Sequence, residues 1–156
     1  MCSSDLFDDY DQKEVDLVTE LIGLLERTEI DMTIFFRLLS EVDSPDVEGL
    51  NFAFYSPENV SDKDWSDWLL KWWDSVKGSP NREKMRSVNP KYILRNWMAL
   101  LAIDAAEKGD YTVAEELHHL LKSPYEEQFE YESKWFQKRP GWAEHRIGCS
   151  MLSCSS

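Results

Sequence analysis

The side chains best suited to chemistry form a cluster of positive charge in the middle of the chain. Residues 77–95 contain six basic side chains and one acid, Glu83, although the whole chain has a formal net charge of −13. Guanidinium and ammonium groups in such a cluster can bind a phosphate or an acidic partner surface. They can equally form a solvated face that balances nearby carboxylates, which is the commoner role of a charge run. Both interpretations stay open for this basic cluster, which consists of Lys77, Arg82, Lys84, Arg86, Lys91 and Arg95.

Other reactive side chains do not form a known catalytic arrangement. The sequence has no phosphate-binding glycine loop, no Walker sequence and no kinase-type catalytic loop. His118 and His119 are adjacent, hence about 100° apart on a helix, so they do not bind one ion together easily. Glu115 shares a helix face with His119, but two ligands do not make a metal site. We therefore predict no catalytic residue and no metal site in this chain.

Charge and composition narrow the classes of partner. The charge of −13 argues against nucleic acid or an anionic membrane, since phosphate contact needs clustered Lys and Arg. No apolar run reaches about 18 residues, so no membrane span is expected. An acidic N-terminus without a signal or transit pattern, and three Cys without a disulfide framework, favour a reducing, cytoplasmic location. A mitochondrial location stays open if the sequence belongs to a longer eukaryotic precursor.

Apolar residues recur at three- and four-residue spacing through most of the chain, which predicts helices. The first helix spans 13–27 and the second begins at the cap Asp31, and their short link favours an antiparallel hairpin. Asn89 and Pro90 read as the cap and first residue of a long helix ending near Gly109. Further helices are expected at 61–77, with the start signature Ser61 and Asp64, at 79–86, and at 112–122, with Thr112 and Glu115.

The helix at 61–77 has an unusual stripe of tryptophans on one side. Trp65, Trp68 and Trp72 share this side with Leu69 and Val76. Such a stripe can be a platform for carbohydrate or peptide. The alternative, which we favour, is that the rings fill the core or cover a neighbouring domain.

These elements predict an all-α fold, a compact bundle of about five helices with an extended C-terminal tail. The segment 1–12 is polar and acidic and is expected to be disordered. The helical domain spans 13–124. Residues 125–156 are expected to form a tail that is pinned by aromatic side chains and carries C-terminal cysteines.

Three blocks of sequence resemble a known family. They are NPKYILRN with AIDAAEKGDY in 89–111, TEIDMTIFFRLLSEV in 28–42, and the end of the chain, where Cys154 is third from last. In kind and order they are similar to the C-terminal portion of the selenoprotein O family of pseudokinases. The resemblance implies a nucleotidyltransferase that transfers AMP from ATP to protein hydroxyls, with a divalent metal, magnesium, as cofactor.

The same resemblance implies that this chain lacks the catalytic part. The nucleotide- and metal-binding residues of the family lie in its kinase-like region, which precedes the matched blocks, so no catalytic residue is carried over. We expect no cofactor in this chain, and as partners the kinase-like domain of the same family or protein substrates. The chain would support that domain.

The resemblance also implies a redox role for Cys154, because family members have cysteine or selenocysteine at this position. The reactive species is a thiolate, which is accessible in a mobile tail. Cys149 is the only nearby partner, and the Cys-x4-Cys spacing is wider than the Cys-x-x-Sec spacing of selenocysteine members. The alternative is a pair of unlinked thiols.

Two other functions compete with this interpretation. One is a stand-alone helical interaction module, since AAEKGDYTVAEELHHLL resembles the paired helices of tetratricopeptide repeats. No period of about 34 residues supports it. The other is a small thiol oxidoreductase that uses Cys149 and Cys154, for which the sequence has no thioredoxin-like pattern.

Overall fold

The computed structural model describes residues 11–146, and within this range the chain is helical, with no strand. The all-α prediction is confirmed. Two 3-10 helices, Val47–Ala53 and Pro57–Asn59, lie between α2 and α3. The α-helices are α1 (Gln12–Arg27), α2 (Met32–Leu39), α3 (Asp62–Ser75), α4 (Arg82–Val88), α5 (Asn96–Ala106), α6 (Thr112–Leu120), α7 (Phe129–Trp135) and α8 (Gly141–Glu144).

The chain divides into two compact units. Among the described residues, the first comprises 11–30 together with Val42–Pro80, and the second comprises Asp31–Glu41 together with 81–146. Helices α1 and α2 therefore belong to different units, whereas the sequence predicted them as a hairpin. The packing partner of α1 is α3, whose tryptophans offer a larger apolar surface than the short α2.

Unit 1 is built on the contact of α1 with α3. Leu24 of α1 is buried, and so are Trp65 and Trp68 of α3. The indole of Trp68 donates to the Leu17 carbonyl at 3.0 Å, and that of Trp65 donates to the Thr28 hydroxyl at 3.2 Å. Both tryptophans are thus core side chains with satisfied N–H groups, as the core interpretation of the stripe predicted.

Unit 2 contains the turn between α5 and α6, which pack against each other. Gly109 has φ +83°, so it adopts the left-handed conformation that the sequence predicted after the long helix. The cap of α6 differs from the prediction. Thr112 is the first helical residue, and its N–H and hydroxyl both donate to the Asp110 carboxylate, at 3.0 and 2.6 Å.

The predicted long helix begins later than expected. Asn89 ends α4, where its backbone N–H and side-chain amide both donate to the Met85 carbonyl. Residues 90–95 are not helical, and α5 begins at Asn96. The prediction of a cap at Asn89 was wrong because the preceding helix uses that side chain as its own end.

The region predicted as a tail contains two short helices, α7 and α8, in its described part. Trp135, Phe136 and Ala143 are buried there. Residues 1–10 of the predicted N-terminal segment lie outside the described residues. No helix in the range 11–146 is long and apolar enough to cross a bilayer.

Candidate functional site

The segment 90–95, between α4 and α5, positions the part of the basic cluster that points inward. The backbone N–H groups of Lys91 and Tyr92 both donate to the Pro124 carbonyl, at 2.8 and 3.1 Å. Two successive N–H groups thus point to one carbonyl, and the chain bends at Lys91. Lys91, Tyr92 and Arg95 are buried, with at most 5% of each residue exposed. Two members of the basic cluster are therefore internal rather than solvated.

Arg95 forms a buried ion pair with Asp31. One guanidinium nitrogen donates to Asp31 Oδ1 at 2.8 Å and the other donates to Oδ2. Asp31 Oδ1 also accepts the backbone N–H of Ile34 at 3.1 Å, so the same carboxylate caps α2, as the sequence predicted. The pair joins the start of α5 to the start of α2 and leaves neither charge exposed.

Lys91 and Arg37 share a carboxylate. Lys91 Nζ lies 2.7 Å from Glu127 Oε2 and 3.1 Å from Glu132 Oε2. Arg37 donates to Glu127 Oε1 through one nitrogen and to the Asn89 carbonyl, at 3.2 Å, through the other. Glu127 thereby bridges two cations whose side chains are about 95% buried. Helix α2, the segment 90–95 and the entry to α7 meet at this carboxylate.

Aromatic rings enclose the ammonium group of Lys91. Its Nζ lies 5.1 Å from the centre of the Phe136 ring and 5.8 Å from that of Phe129, within the range of a cation–π contact. The Tyr92 hydroxyl donates to the Glu127 carbonyl at 2.7 Å. Burial, and then the neighbouring carboxylates, raise the pKa of Tyr92 to about 12, so this phenol stays protonated near neutral pH.

Arg86 pairs with Glu41 at the edge of the same cluster. Its Nε donates to Glu41 Oε1 at 2.6 Å, and a second nitrogen donates to Oε2. This pair borders an open cavity of about 420 Å³, which we call the charged pocket. The pocket is lined by three cations, three carboxylates and three apolar side chains: Arg37, Arg86, Lys91, Glu41, Glu127, Glu132, Leu38, Phe129 and Phe136.

Two carboxylates of the charged pocket, Glu127 and Glu41, are held in their ionised form. Burial alone would raise the pKa of Glu127, but the hydrogen bonds from Lys91 and Arg37 outweigh it and lower that pKa below its usual value. The hydrogen bond from Arg86 likewise lowers the pKa of Glu41. Cations and anions are therefore balanced, and an incoming anion would have to displace a carboxylate. The arrangement is suited to cross-linking helices.

The other predicted site residues lie elsewhere. Arg82 is half-buried, and Lys84 and Lys77 are exposed. Cys149 and Cys154 lie outside the described residues. Within 11–146 no group of three or more His, Cys, Asp or Glu side chains could hold a metal ion. The ring of His119 instead contacts that of Tyr131, with centroids 6.3 Å apart.

The sequence analysis did not identify Arg37, or the carboxylates that pair with Lys91, as residues of this cluster. Arg37 had a visible signal, because it is the only charged residue in the otherwise apolar helix MTIFFRLL. A lone cation in such a helix indicates a buried partner. Glu127 and Glu132 had no such signal, since they lie in a run rich in acids and 36 or more residues from Lys91.

Comparison with protein families gives a match over most of the chain. Residues 7–122 match the family model described as protein adenylyltransferase SelO. The match includes the basic cluster and α1 to α6.

Curated relatives match an even larger share. A protein nucleotidyltransferase YdiU from Flavobacterium johnsoniae is 49% identical over 154 residues, which cover 90% of this chain and 29% of that protein. A protein of the same name from Aromatoleum aromaticum is 42% identical, over 96% of this chain and 30% of its own length. A third protein of this name, from Methylobacillus flagellatus, is 45% identical, over 90% of this chain and 29% of its own length. The chain thus spans less than a third of the relatives it matches.

Proposed function

This chain belongs to the protein adenylyltransferase SelO family, and on that premise we propose that it is the helical region that supports the nucleotide-transferring part of a full-length family protein. The reaction we assign to the full-length protein is the transfer of AMP from ATP to a protein hydroxyl, with pyrophosphate as the leaving group. The C-terminal position of this region in the family follows from the resemblance of its sequence blocks.

The main support for the proposal is that this chain is much shorter than the relatives it matches. Relatives named as nucleotidyltransferases match this chain over about nine tenths of its length, but about 70% of each relative's own length lies outside the match. The additional sequence has room for a nucleotide site. In the described residues of this chain, the buried charges instead form ion pairs with one another, in the Arg95–Asp31 pair and around Glu127.

The described residues that line the charged pocket do not fit ATP and magnesium. The charged pocket is the strongest candidate for a phosphate site, because it combines three cations with a cavity. Each cation already has a carboxylate within hydrogen-bonding distance, so a phosphate group would have to displace that carboxylate to bind. We assign both cofactors to the part of the full-length protein outside the matched segment.

A chimera tests the proposal. The matched segment of the Flavobacterium johnsoniae protein is replaced by this chain, and AMP transfer from labelled ATP to protein is measured beside the natural protein and a version without the segment. We expect the chimera to keep at least a tenth of the natural rate and the version without the segment to lose it. A version without the segment that stays fully active would contradict the proposal, and so would an inactive chimera. Either result would favour the stand-alone interaction module.

The proposal includes a thiol function for Cys154. Its support is the resemblance of the sequence around this residue to the family's cysteine or selenocysteine position. Treatment with peroxide, which accepts the two electrons and two protons, should join Cys149 to Cys154, and mass spectrometry should show the loss of two hydrogens. The variant Cys149→Ser is the control and should not lose them. The same mass change on peroxide treatment in both proteins would remove this part of the proposal.

A further inference from the structure

Helix α1 has an apolar stripe that nothing in the described structure covers. Val15, Val18 and Ile22 have 37%, 55% and 50% of their surface exposed. Their spacing of three and four residues places them on one side of the helix. The core side of α1 is different, since it carries the buried Leu21 and Leu24. We call the three exposed residues the α1 stripe.

Acidic side chains border the α1 stripe. Each stripe residue has an acid four positions away on the helix surface: Asp11 for Val15, Glu14 for Val18, and Glu26 for Ile22. All three acids are exposed. A second copy of the chain would bring acids against acids, and both copies carry a charge of −13. An anionic lipid surface is disfavoured for the same reason. The complementary surface is an apolar strip bordered by Lys or Arg.

The relatives indicate where that surface is. The stripe lies inside the family match at residues 7–122, and about 70% of each relative's own length lies outside the segment that matches this chain. Exposed apolar residues at helical spacing mark interaction surfaces, whereas single ones are common on any protein. Ile103 is such a single residue, 52% exposed, with no other exposed large apolar side chain three or four positions away.

We propose that the α1 stripe is the docking surface for the part of the full-length protein outside the matched segment, and that this part presents an apolar strip with a basic border. The inference rests on the proposed function and adds to it which face makes the contact. Three apolar side chains would be removed from water on docking, and Asp11, Glu14 and Glu26 would gain cationic partners at the border.

The chimera with the Flavobacterium johnsoniae protein allows a direct test. Val18→Asp with Ile22→Asp places charge in the α1 stripe. Leu70→Asp with Ile103→Asp is the matched control, because those side chains are 53% and 52% exposed. Both double variants are made in the isolated chain and in the chimera, and thermal melting and AMP transfer are measured. The size of the isolated chain is measured by sedimentation.

The expected results separate docking from folding. As isolated chains the two double variants should melt within about 4 °C of each other, since all four side chains are half-exposed. In the chimera the stripe variant should lose at least tenfold in AMP transfer, while the control stays within twofold of the unsubstituted chimera.

Three outcomes would overturn the inference. If the stripe variant of the chimera is as active as the control, the stripe is not the docking face, although the proposed function stands. If only the stripe variant unfolds as an isolated chain, the stripe is a core contact. If sedimentation shows a dimer that the stripe variant abolishes, the occupant is a second copy. An inactive unsubstituted chimera, in contrast, would overturn the proposed function itself.

Discussion

Arg95 and Asp31 bury opposite charges that have almost no contact with water, at 4% and 2% side-chain exposure. Each compensates the cost of removing the other from solvent, and removal of one partner leaves an uncompensated charge. We predict that Arg95→Met lowers the free energy of unfolding by about 3–5 kcal/mol. Urea denaturation measures the change.

The control for this prediction is an exposed ion pair. Lys63 and Asp67 are 3.4 Å apart, with 85% and 50% of their side chains exposed. Lys63→Met should change the free energy of unfolding by about 0.5 kcal/mol or less. If Arg95→Met is equally mild, the buried pair does not hold α2 and α5 as described.

Glu127 gives stability that depends on pH. Its pKa is lowered in the folded protein, so its contribution is complete above the usual value of 4.5 and is lost as the pH falls through the lower folded value. Glu127→Gln should cost about 2 kcal/mol at pH 7, because it removes the charge-assisted hydrogen bonds to Lys91 and Arg37. The difference from the natural protein should narrow as the pH falls below about 4.

Denaturation at pH 7 and pH 3.5 tests this sign. The exposed neighbour Glu130, changed to Gln, is the control and should stay within about 0.5 kcal/mol of the natural protein at pH 7. A deficit for Glu127→Gln that is constant or grows toward acid would show that the bridging carboxylate is not the source of the effect.

At the scale of single residues, the sequence predicted which cations are clustered, but not which carboxylates they pair with. Lys91, Arg95 and Arg86 were visible as members of a basic cluster, and Asp31 as a cap. Their pairing could not be read, because it joins residues 36 to 64 positions apart through the fold. Charge patterns along a chain carry no information on such distances, whereas caps depend on neighbours three residues away.

At the scale of elements, α3 offers a test of the packing against α1. Leu69 is fully buried, and the next residue, Leu70, is 53% exposed. Leu69→Ala should lower the free energy of unfolding by about 2–5 kcal/mol, from lost burial and the cavity left behind. Leu70→Ala should change it by about 0.5 kcal/mol or less. Equal effects in urea denaturation would mean that the helix faces another way.

Helix positions were predictable where a local signal acts alone. The turn at Gly109 and the core face of α3 are examples, since a left-handed glycine and a 3.6-residue period each depend on nearby residues. The start of α5 was not predictable, because Asn89 and Pro90 fit a helix start equally well. The N–H groups of Lys91 and Tyr92 donate instead to the Pro124 carbonyl, over 30 residues away, and the helix therefore begins only after this segment.

At the scale of the whole molecule, the described residues form helical structure in which buried charges are paired with one another, and we propose that nucleotide chemistry in this family belongs to the remaining sequence. Family membership is shown by the match at residues 7–122. The division of labour is our proposal. It explains why a chain related to nucleotidyltransferases has three cations in a charged pocket and a carboxylate beside each of them.

The most direct test of that division is isothermal titration of ATP with magnesium into this chain and, in parallel, into the full-length Flavobacterium johnsoniae relative. Thermal melting of the same samples shows that the chain is folded. We predict saturable heat for the relative, and neither heat nor a rise in melting temperature for this chain. Saturable micromolar binding by this chain would contradict the account, and its loss in Lys91→Met would place the site in the charged pocket.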